Sequence, residues 1–331
     1  MKREISTSNN GPVKIGIVGT GNMGGNHARI LGSLPGAKLV GIFDSDLERA
    51  GQCAKQYETR SFPEYGELLA DADAVIIAVP TDLHYSFSME ALEEGLDVLV
   101  EKPIADTLEQ ANKMCETALR LDRVLQVGHV ERFNPVCLEL TRLVKNPLLI
   151  SCERLSSYTP SWIGTTGVII DLMIHDLDIV LSLVGEDVTE VNAVSATVMS
   201  STEDLALAQV VFKSGVIANF TSSRVSQAKI RRLSITQEGE FLSVDMLRQN
   251  ISIHHHVVSN YFYDRRTGYR QEAVTDMPFL SRYGEPLRLE LESFIDSVVK
   301  RTPPVVSGED GTRALGLALR IMRECGLKEE E

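Results

Sequence analysis

Apolar and polar positions follow a repeating order through the first third of the chain. Short, mostly apolar runs (Val13–Val18, Lys38–Phe43, Asp73–Val79, Asp97–Glu101, Val124–Val127) alternate with stretches of helical periodicity (Met23–Leu34, Leu47–Tyr57, Glu64–Leu69, Tyr85–Glu94, Leu108–Leu121). Strands that are apolar on both faces, separated by amphipathic helices, predict a parallel sheet covered on both sides. The pattern changes after about Pro135. One strongly apolar helix, Ile169–Val184, precedes runs of period-two alternation: Glu190–Val198, Ala206–Phe212, Val216–Ser222, Arg231–Thr236, Phe241–Asp245 and Asn250–Val257. Short polar turns such as Lys213-Ser214-Gly215 join several of them, which predicts an antiparallel sheet. Helices over Pro286–Lys300 and Asp310–Cys325 close the chain. The expected fold class is α/β, a doubly wound parallel sheet followed by an α+β domain with a large open antiparallel sheet. The expected divisions are a flexible tail over 1–12, the parallel-sheet domain over 13–130, the second domain over 131–308, and a last helix over 309–326 packing back near the first domain.

The first apolar run ends in Gly19-Thr20-Gly21-Asn22-Met23-Gly24, and the second ends on Asp44. Each part of that pattern has a mechanical use. A glycine turn lets backbone approach a pyrophosphate, and the helix after it offers free N–H groups and a positive dipole end. An acid about 20 residues on accepts hydrogen bonds from a ribose diol. Strand before, helix after and acid at the next strand's end make this a Rossmann dinucleotide site. Gly19, Gly21, Asn22, Met23, Gly24 and Asp44 are its expected residues. Asp44 favours NAD over NADP, because its charge repels a 2′-phosphate and no cation follows it before Arg49.

Composition narrows the rest. The 331 residues exceed what one core usually holds. A formal charge of −13 argues against nucleic acid or an anionic membrane as partner, though not against an anionic ligand in a local basic pocket. The five cysteines are odd in number and form no CxxC, which suits reduced thiols in a cytoplasmic protein. No apolar run reaches the length of a membrane span, and the polar start lacks a signal-peptide core.

Two further constellations carry possible chemistry. Glu101-Lys102-Pro103 follows an apolar strand, at the strand end where open parallel sheets bind ligands. Lys102 there either bonds a substrate hydroxyl or is a surface lysine at a strand end. On the helix Ile169–Val184, Asp171, His175, Asp178 and Ser182 fall at i, i+4, i+7 and i+11. That stripe is either an acid–imidazole pair or an ordinary solvated face. His129 and Arg132, at the crossover between domains, and Tyr158 and Trp162, ahead of the helix, are substrate candidates. His254-His255-His256 is not expected to bind metal, since consecutive strand side chains face opposite ways. No metal site is expected.

Together these residues resemble the Gfo/Idh/MocA family of oxidoreductases. The matching pieces, in order, are Gly19-x-Gly21-x-x-Gly24, Pro80-Thr81-x-x-His84, Glu101-Lys102-Pro103, Arg132-Phe133-x-Pro135, Asp171-x-x-x-His175-Asp176 and Gly308-Glu309-Asp310-Gly311. The resemblance implies hydride transfer between NAD(P) and a sugar or polyol carbon. It implies catalytic roles for Lys102, Asp171 and His175, and adds Pro80, Thr81, His84, Glu101 and Lys102 to the cofactor site. Met23 to Arg29, Val127 to Pro135 and Gly167 to Asp176 are closest to the UDP-N-acetylglucosamine 3-dehydrogenase branch. That branch would supply the substrate, with Arg154, Arg224, Arg231 and Arg232 as cations for its diphosphate. The alternatives are a dehydrogenase of a free sugar or inositol-type polyol, and a non-catalytic NAD(P)-sensing regulator. The run Gly164-Thr165-Thr166-Gly167 departs from the family's glycine triplet before the catalytic helix. A homodimer or homotetramer is expected, because the second sheet has more apolar surface than its own helices can cover.

Overall fold

The computed structural model describes residues 11–158, 166–263 and 266–327. Trp162 and most of the expected tail, 1–10, lie outside the described residues. In chain order the first elements are β1 (Val13–Val18), α1 (Asn22–Leu31), β2 (Ala37–Phe43), α2 (Leu47–Gln56), β3 (Arg60–Ser61), α3 (Tyr65–Asp71), β4 (Ala74–Ile77), α4 (Thr81–Glu93), β5 (Asp97–Glu101), α5 (Leu108–Leu121) and β6 (Leu125–Gly128). A 3₁₀ turn over Val130–Phe133 follows. Next come α6 (Pro135–Leu143), β7 (Pro147–Leu155), a π-helical turn over Ile169–Met173 and α7 (Ile174–Val184). β8 (Val188–Ala196), β9 (Leu205–Phe212), β10 (Ile217–Ser223), β11 (Ile230–Gln237), β12 (Glu240–Asp245), β13 (Asn250–Tyr263) and β14 (Arg266–Asp276) precede α8 (Pro286–Lys300) and α9 (Gly308–Glu324).

The chain forms two compact units. One comprises Met1–Phe133 and Gly284–Leu315, the other Asn134–Tyr283 and Gly316–Glu331. The first holds a six-stranded sheet in the order β3-β2-β1-β4-β5-β6, every pair parallel. Order reverses between β1 and β4, so the loops after these strands open at the switch point where such sheets bind ligands. Its core includes Ile15, Ile17, Ile42, Ile76 and Leu99, all fully buried. Sequence order alone puts α8 in the second domain, 131–308. The structure places it in the first unit, because Leu287, Leu291, Phe294, Ile295 and Val298 form one apolar stripe that packs with Val13, Ile15, Leu31 and Leu34. The last helix is shared by the two units, the partition falling after Leu315.

The second unit holds an eight-stranded sheet in the order β14-β13-β12-β11-β7-β10-β9-β8. It is mostly antiparallel, but β10 and β7 run parallel, with Ile217 opposite Leu149 and Ser223 opposite Leu155. β7, which sequence periodicity does not single out, is therefore central. Its inward positions are Ile150, Cys152 and Arg154, and the buried arginine interrupts the apolar alternation. β14 escapes notice for a similar reason, being polar along most of its length. On the outward face Leu149, Leu207, Ile217 and Phe241 remain exposed.

Candidate functional site

The glycine turn is built as dinucleotide binding requires. Gly19 sits at φ +90°, and a Cβ there would overlap the Ala78 carbonyl. A Cβ at Gly24 would overlap the Gly19 carbonyl, so that position keeps helix and turn in contact. At Gly21, which begins α1, nothing lies within 4 Å of an added Cβ. No side chain caps this helix start and no acid occupies its first turn, so the N–H groups and positive dipole end stay available to a phosphate. Gly19, Gly21, Asn22, Met23 and Gly24 therefore fit a pyrophosphate.

Asp44 directly follows β2 and is buried, with four hydrogen bonds on its carboxylate. Its Oδ2 accepts from Thr20 N–H and the Thr20 hydroxyl, both at 2.6 Å. Its Oδ1 accepts from Asp46 N–H at 2.9 Å and Arg49 Nη2 at 2.7 Å. Burial opposes ionisation, but the bonds from Arg49, Thr20 and Asp46 outweigh it and bring the pKa down to about 2. Asp44 is thus a fixed anion beside the turn. The sequence distance to Arg49 hides that α2 brings this guanidinium back onto Asp44.

A second cluster surrounds the end of β5. His84, on α4, is buried, with Nδ1 2.7 Å from the Pro103 carbonyl and Nε2 3.0 Å from the Val79 carbonyl. It ties the loop after β4, which carries Pro80 and Thr81, to the turn carrying Lys102 and the cis Lys102–Pro103 peptide. Burial lowers its pKa against these carbonyls, which favours the neutral ring. Lys102 itself is half-buried. Behind it Glu101 Oε1 lies 2.7 Å from Nε2 of the fully buried His27. A Cβ at Gly128 would come within 3.0 Å of the same carboxylate, so glycine there leaves room for it.

Glu290 of α8 and Gln126 of β6 complete this polar interior, and the sequence reading missed both. Gln126 Nε2 donates to the Glu290 carbonyl at 3.4 Å. His27 Nδ1, Gln126 Oε1 and both Glu290 carboxylate oxygens are buried with no hydrogen-bond partner among the described residues. Burial first, and then the charge of Glu101, push the Glu290 carboxyl well above the ordinary glutamate value, which favours its protonated form. The unfolded chain releases that proton near the ordinary glutamate value, about 4.3. Between the two values the folded state binds the extra proton, and stability falls as pH rises. Glu290→Gln removes the titrating group. Its melting temperature is expected to decline less than the wild type's as pH rises from the ordinary glutamate value upward; equal declines would show that Glu290 does not hold the proton.

His129, read from sequence as a substrate candidate, is fully buried in the same unit. Burial, then the charges of Lys102 and Arg132, bring its pKa down to about 3. Its ring is neutral and enclosed within that unit. Arg132 donates from Nη2 to the Val305 carbonyl at 3.4 Å.

In the second unit the polar stripe begins on the π-helical turn. Asp171 is exposed and His175, on the first turn of α7, is half-buried. A π turn holds more residues than an α turn, so the angle from Asp171 to His175 differs from that of a regular helix. π turns of this kind occur often at functional sites. Glu203, another residue missed from sequence, fixes the turn. Its Oε1 accepts from Ile169 N–H at 3.1 Å, and its carboxylate fills the space where Gly167 would carry a Cβ. Tyr158 Oη donates to the Met199 carbonyl at 3.1 Å. His254 Nδ1 lies 3.0 Å from the Thr275 hydroxyl, and His255 Nε2 lies 2.9 Å from Asp276. Among the described residues no cluster of three histidine, cysteine or acidic side chains is arranged for a metal.

Two of the four arginines assigned to a diphosphate are committed elsewhere. Arg154 donates from Nε and Nη2 to both oxygens of Asp176, at 2.9 and 2.6 Å, and both partners are buried. Arg224 Nε donates to Asp204 at 2.7 Å and its Nη1 donates to the Thr166 carbonyl at 2.8 Å. Asp204 also accepts from Val198, Met199 and Ser200 N–H groups. These pairs brace the chain on either side of the start of α7.

Compared with known proteins, residues 13–129 match the oxidoreductase family with an NAD-binding Rossmann fold, and 147–240 match the GFO/IDH/MocA C-terminal domain. The chain is 32% identical over 310 residues to UDP-N-acetylglucosamine 3-dehydrogenase of Acidithiobacillus ferrooxidans, covering 93% of this chain and 96% of that one. The chain belongs to the Gfo/Idh/MocA family. Another member, scyllo-inositol 2-dehydrogenase (NAD(+)) of Bacillus subtilis, is 29% identical over 91% of this chain and 90% of its own. The solved structure of the Acidithiobacillus enzyme matches with a TM-score of 0.83, covering 94% of this chain and 96% of that one. Levoglucosan dehydrogenase in complex with NADH gives 0.82 over 95% and 97% at 18% identity, a likeness of fold alone. This Gfo/Idh/MocA chain is thus an NAD-binding oxidoreductase acting on CH–OH groups. Among the described residues no helix is long and apolar enough to cross a membrane.

Proposed function

We propose that this protein oxidises the 3-hydroxyl of UDP-N-acetylglucosamine, with NAD preferred over NADP. The observation that carries the substrate reading is the 32% identity, across nearly the whole of both chains, with an enzyme named for that reaction. The fixed negative charge of Asp44 supports NAD, since a 2′-phosphate would meet it. Bound nicotinamide supplies the hydride acceptor. His175 acts as general base and takes the hydroxyl proton. Lys102 donates a hydrogen bond to the same oxygen and stabilises its developing charge. Asp171 holds the sugar or the imidazole in register. Relatives named as inositol dehydrogenases favour a second reading, a free polyol as substrate. An assay of UDP-sugars, free sugars and inositols, each with NAD and with NADP, tests both. UDP should inhibit competitively and NAD should give the higher kcat/KM. Turnover of inositol without inhibition by UDP would overturn the substrate, and a preference for NADP would overturn the cofactor.

The same proposal includes a homodimer or homotetramer. It is supported by the exposed apolar side chains on the outward face of the second sheet, Leu149, Leu207, Ile217 and Phe241. Face-to-face packing of two copies buries them. Light scattering should give two or four chains per particle, and a stable monomer at micromolar concentration would refute it.

A further inference from the structure

The packed side of α8 is apolar except at one position. Leu287, Leu291 and Phe294 belong to the stripe that packs on the first sheet, and Glu290 lies three residues after Leu287 and four before Phe294, on the same side. It is fully buried. A carboxyl in such a place costs stability unless other polar groups meet it. The same unit supplies them: His27 of α1, Gln126 of β6 and Glu101 at the end of β5, all buried. Glu101 stands opposite Gly128, where glycine leaves room for its carboxylate. Its charge bears on His84 as well as on Glu290, so one carboxylate joins this interior to the turn that His84 holds through Pro103. Lys102 is on that turn, next in the chain after Glu101.

Donors are scarce in this interior. An ionised carboxylate only accepts, so at the 2.7 Å contact with Glu101 Oε1 it is His27 Nε2 that donates. In the neutral ring Nδ1 is then an acceptor. Gln126 spends its Nε2 on the Glu290 carbonyl, and its Oε1 is a further acceptor. Neither of these acceptors has a hydrogen-bond partner among the described residues, and neither Glu290 oxygen has one. An ionised Glu290 would add two more acceptors and a second negative charge near Glu101. A protonated Glu290 adds the O–H donor that the group needs.

We propose that Glu290 is a positioning residue for Lys102: as a protonated carboxyl it donates to the His27–Glu101 pair, keeps Glu101 a fixed anion, and so anchors the end of β5 that presents the lysine. Glu290 itself touches neither substrate nor cofactor in this role. The role rests on the catalytic reading of Lys102, and the experiment separates the two.

Infrared spectra of full-length wild type, Glu290→Gln and Glu290→Leu at neutral pH report the protonation state. Steady-state kinetics of the same proteins report the role, with NAD and whichever of UDP-N-acetylglucosamine and myo-inositol turns over. Melting curves confirm that each variant folds. Wild type should show the carbonyl band of a protonated carboxyl, and both variants should lose it. Leucine keeps much of the volume and removes the donor. A hydrogen bond to a charged group is at stake, so Glu290→Leu should lower kcat roughly 10-fold or more, with KM little changed. Glutamine restores a donor and an acceptor in nearly the same volume, so Glu290→Gln should lose far less. A purely structural role would lower the melting temperature and leave kcat of the folded protein alike in both variants. Absence of the band in wild type, or equal kcat in wild type and Glu290→Leu, would overturn the proposal. Near-normal turnover of Lys102→Ala would overturn the catalytic reading and the positioning role with it, while the band would still identify Glu290 as the buried acid.

Discussion

Lys102→Ala and His175→Ala are each expected to lower kcat by roughly 10²–10⁴, the range for positioned acid–base groups. NAD binding should survive both changes, since the pyrophosphate turn and Asp44 are untouched. The local structure makes the test clean. Lys102 is half-buried, and its turn is held through Pro103, whose carbonyl sits 2.7 Å from His84. Removing the side chain therefore takes away a cation without releasing the backbone that presents it. His175 lies on the first turn of α7, and the π-helical turn ahead of it is pinned by Glu203 at Ile169 N–H. Lys102→Arg should not restore activity, because a planar fork does not reproduce a compact ammonium at one oxygen. Single-turnover kinetics with NADH formation as signal, and a separate NADH titration, check the two halves of the expectation. Near-normal turnover in either alanine variant would remove that residue from the mechanism. Loss of NADH binding would show that the residue acts mainly through holding the cofactor.

The first unit was legible because its code is local. The turn from Gly19 to Gly24 and the acid at Asp44 lie within about one βαβ unit, and the apolar strands of a doubly covered parallel sheet need no partner to be recognised. Asp97–Glu101 and Leu108–Leu121 have the bounds their patterns give. What failed was long-range. Nothing near Pro286 says that the apolar stripe of α8 packs on the first sheet, nor that Glu290 brings a buried carboxyl to Glu101. β7 was hidden because Arg154, at an inward position, reads as polar until Asp176 is seen opposite it. The regular spacing of Asp171 and His175 assumed an α-helix, whereas the turn there is π, a change that hydrogen bonding decides and composition does not. The burial of His129 is hidden for the opposite reason. Its neighbours in sequence are polar, yet its own position is interior. The diphosphate cations were half legible. Charge picks out the arginines, and only the structure shows that Arg154 and Arg224 are balanced by buried acids.

Arg154→Met is expected to destabilise the second unit by about 3–5 kcal/mol, the cost of leaving a buried charge without its partner. The two side chains are about 3% and 4% exposed, and both oxygens of Asp176 accept from one guanidinium. Solvent screening, which makes most surface pairs nearly neutral, does not operate here. Without Arg154 the Asp176 carboxylate stays in the interior near the buried Cys152, or the helix moves to expose it. For a unit of this size the loss corresponds to a melting shift on the order of 10 °C. The double variant Arg154→Met, Asp176→Leu should recover most of it, because an apolar pair of similar volume can replace a buried ion pair at little cost. This result also separates structure from binding. A phosphate ligand at position 154 would cost UDP affinity and leave the melting temperature alone, and the double variant would rescue nothing. A bracing residue gives the reverse: stability is lost and recovered, and UDP affinity follows the fold. Asp176 is the neighbour of His175, so the ion pair also fixes the rotation of α7 that presents the imidazole. Activity in Arg154→Met should therefore fall even at temperatures where the protein remains folded, and should return with stability in the double variant.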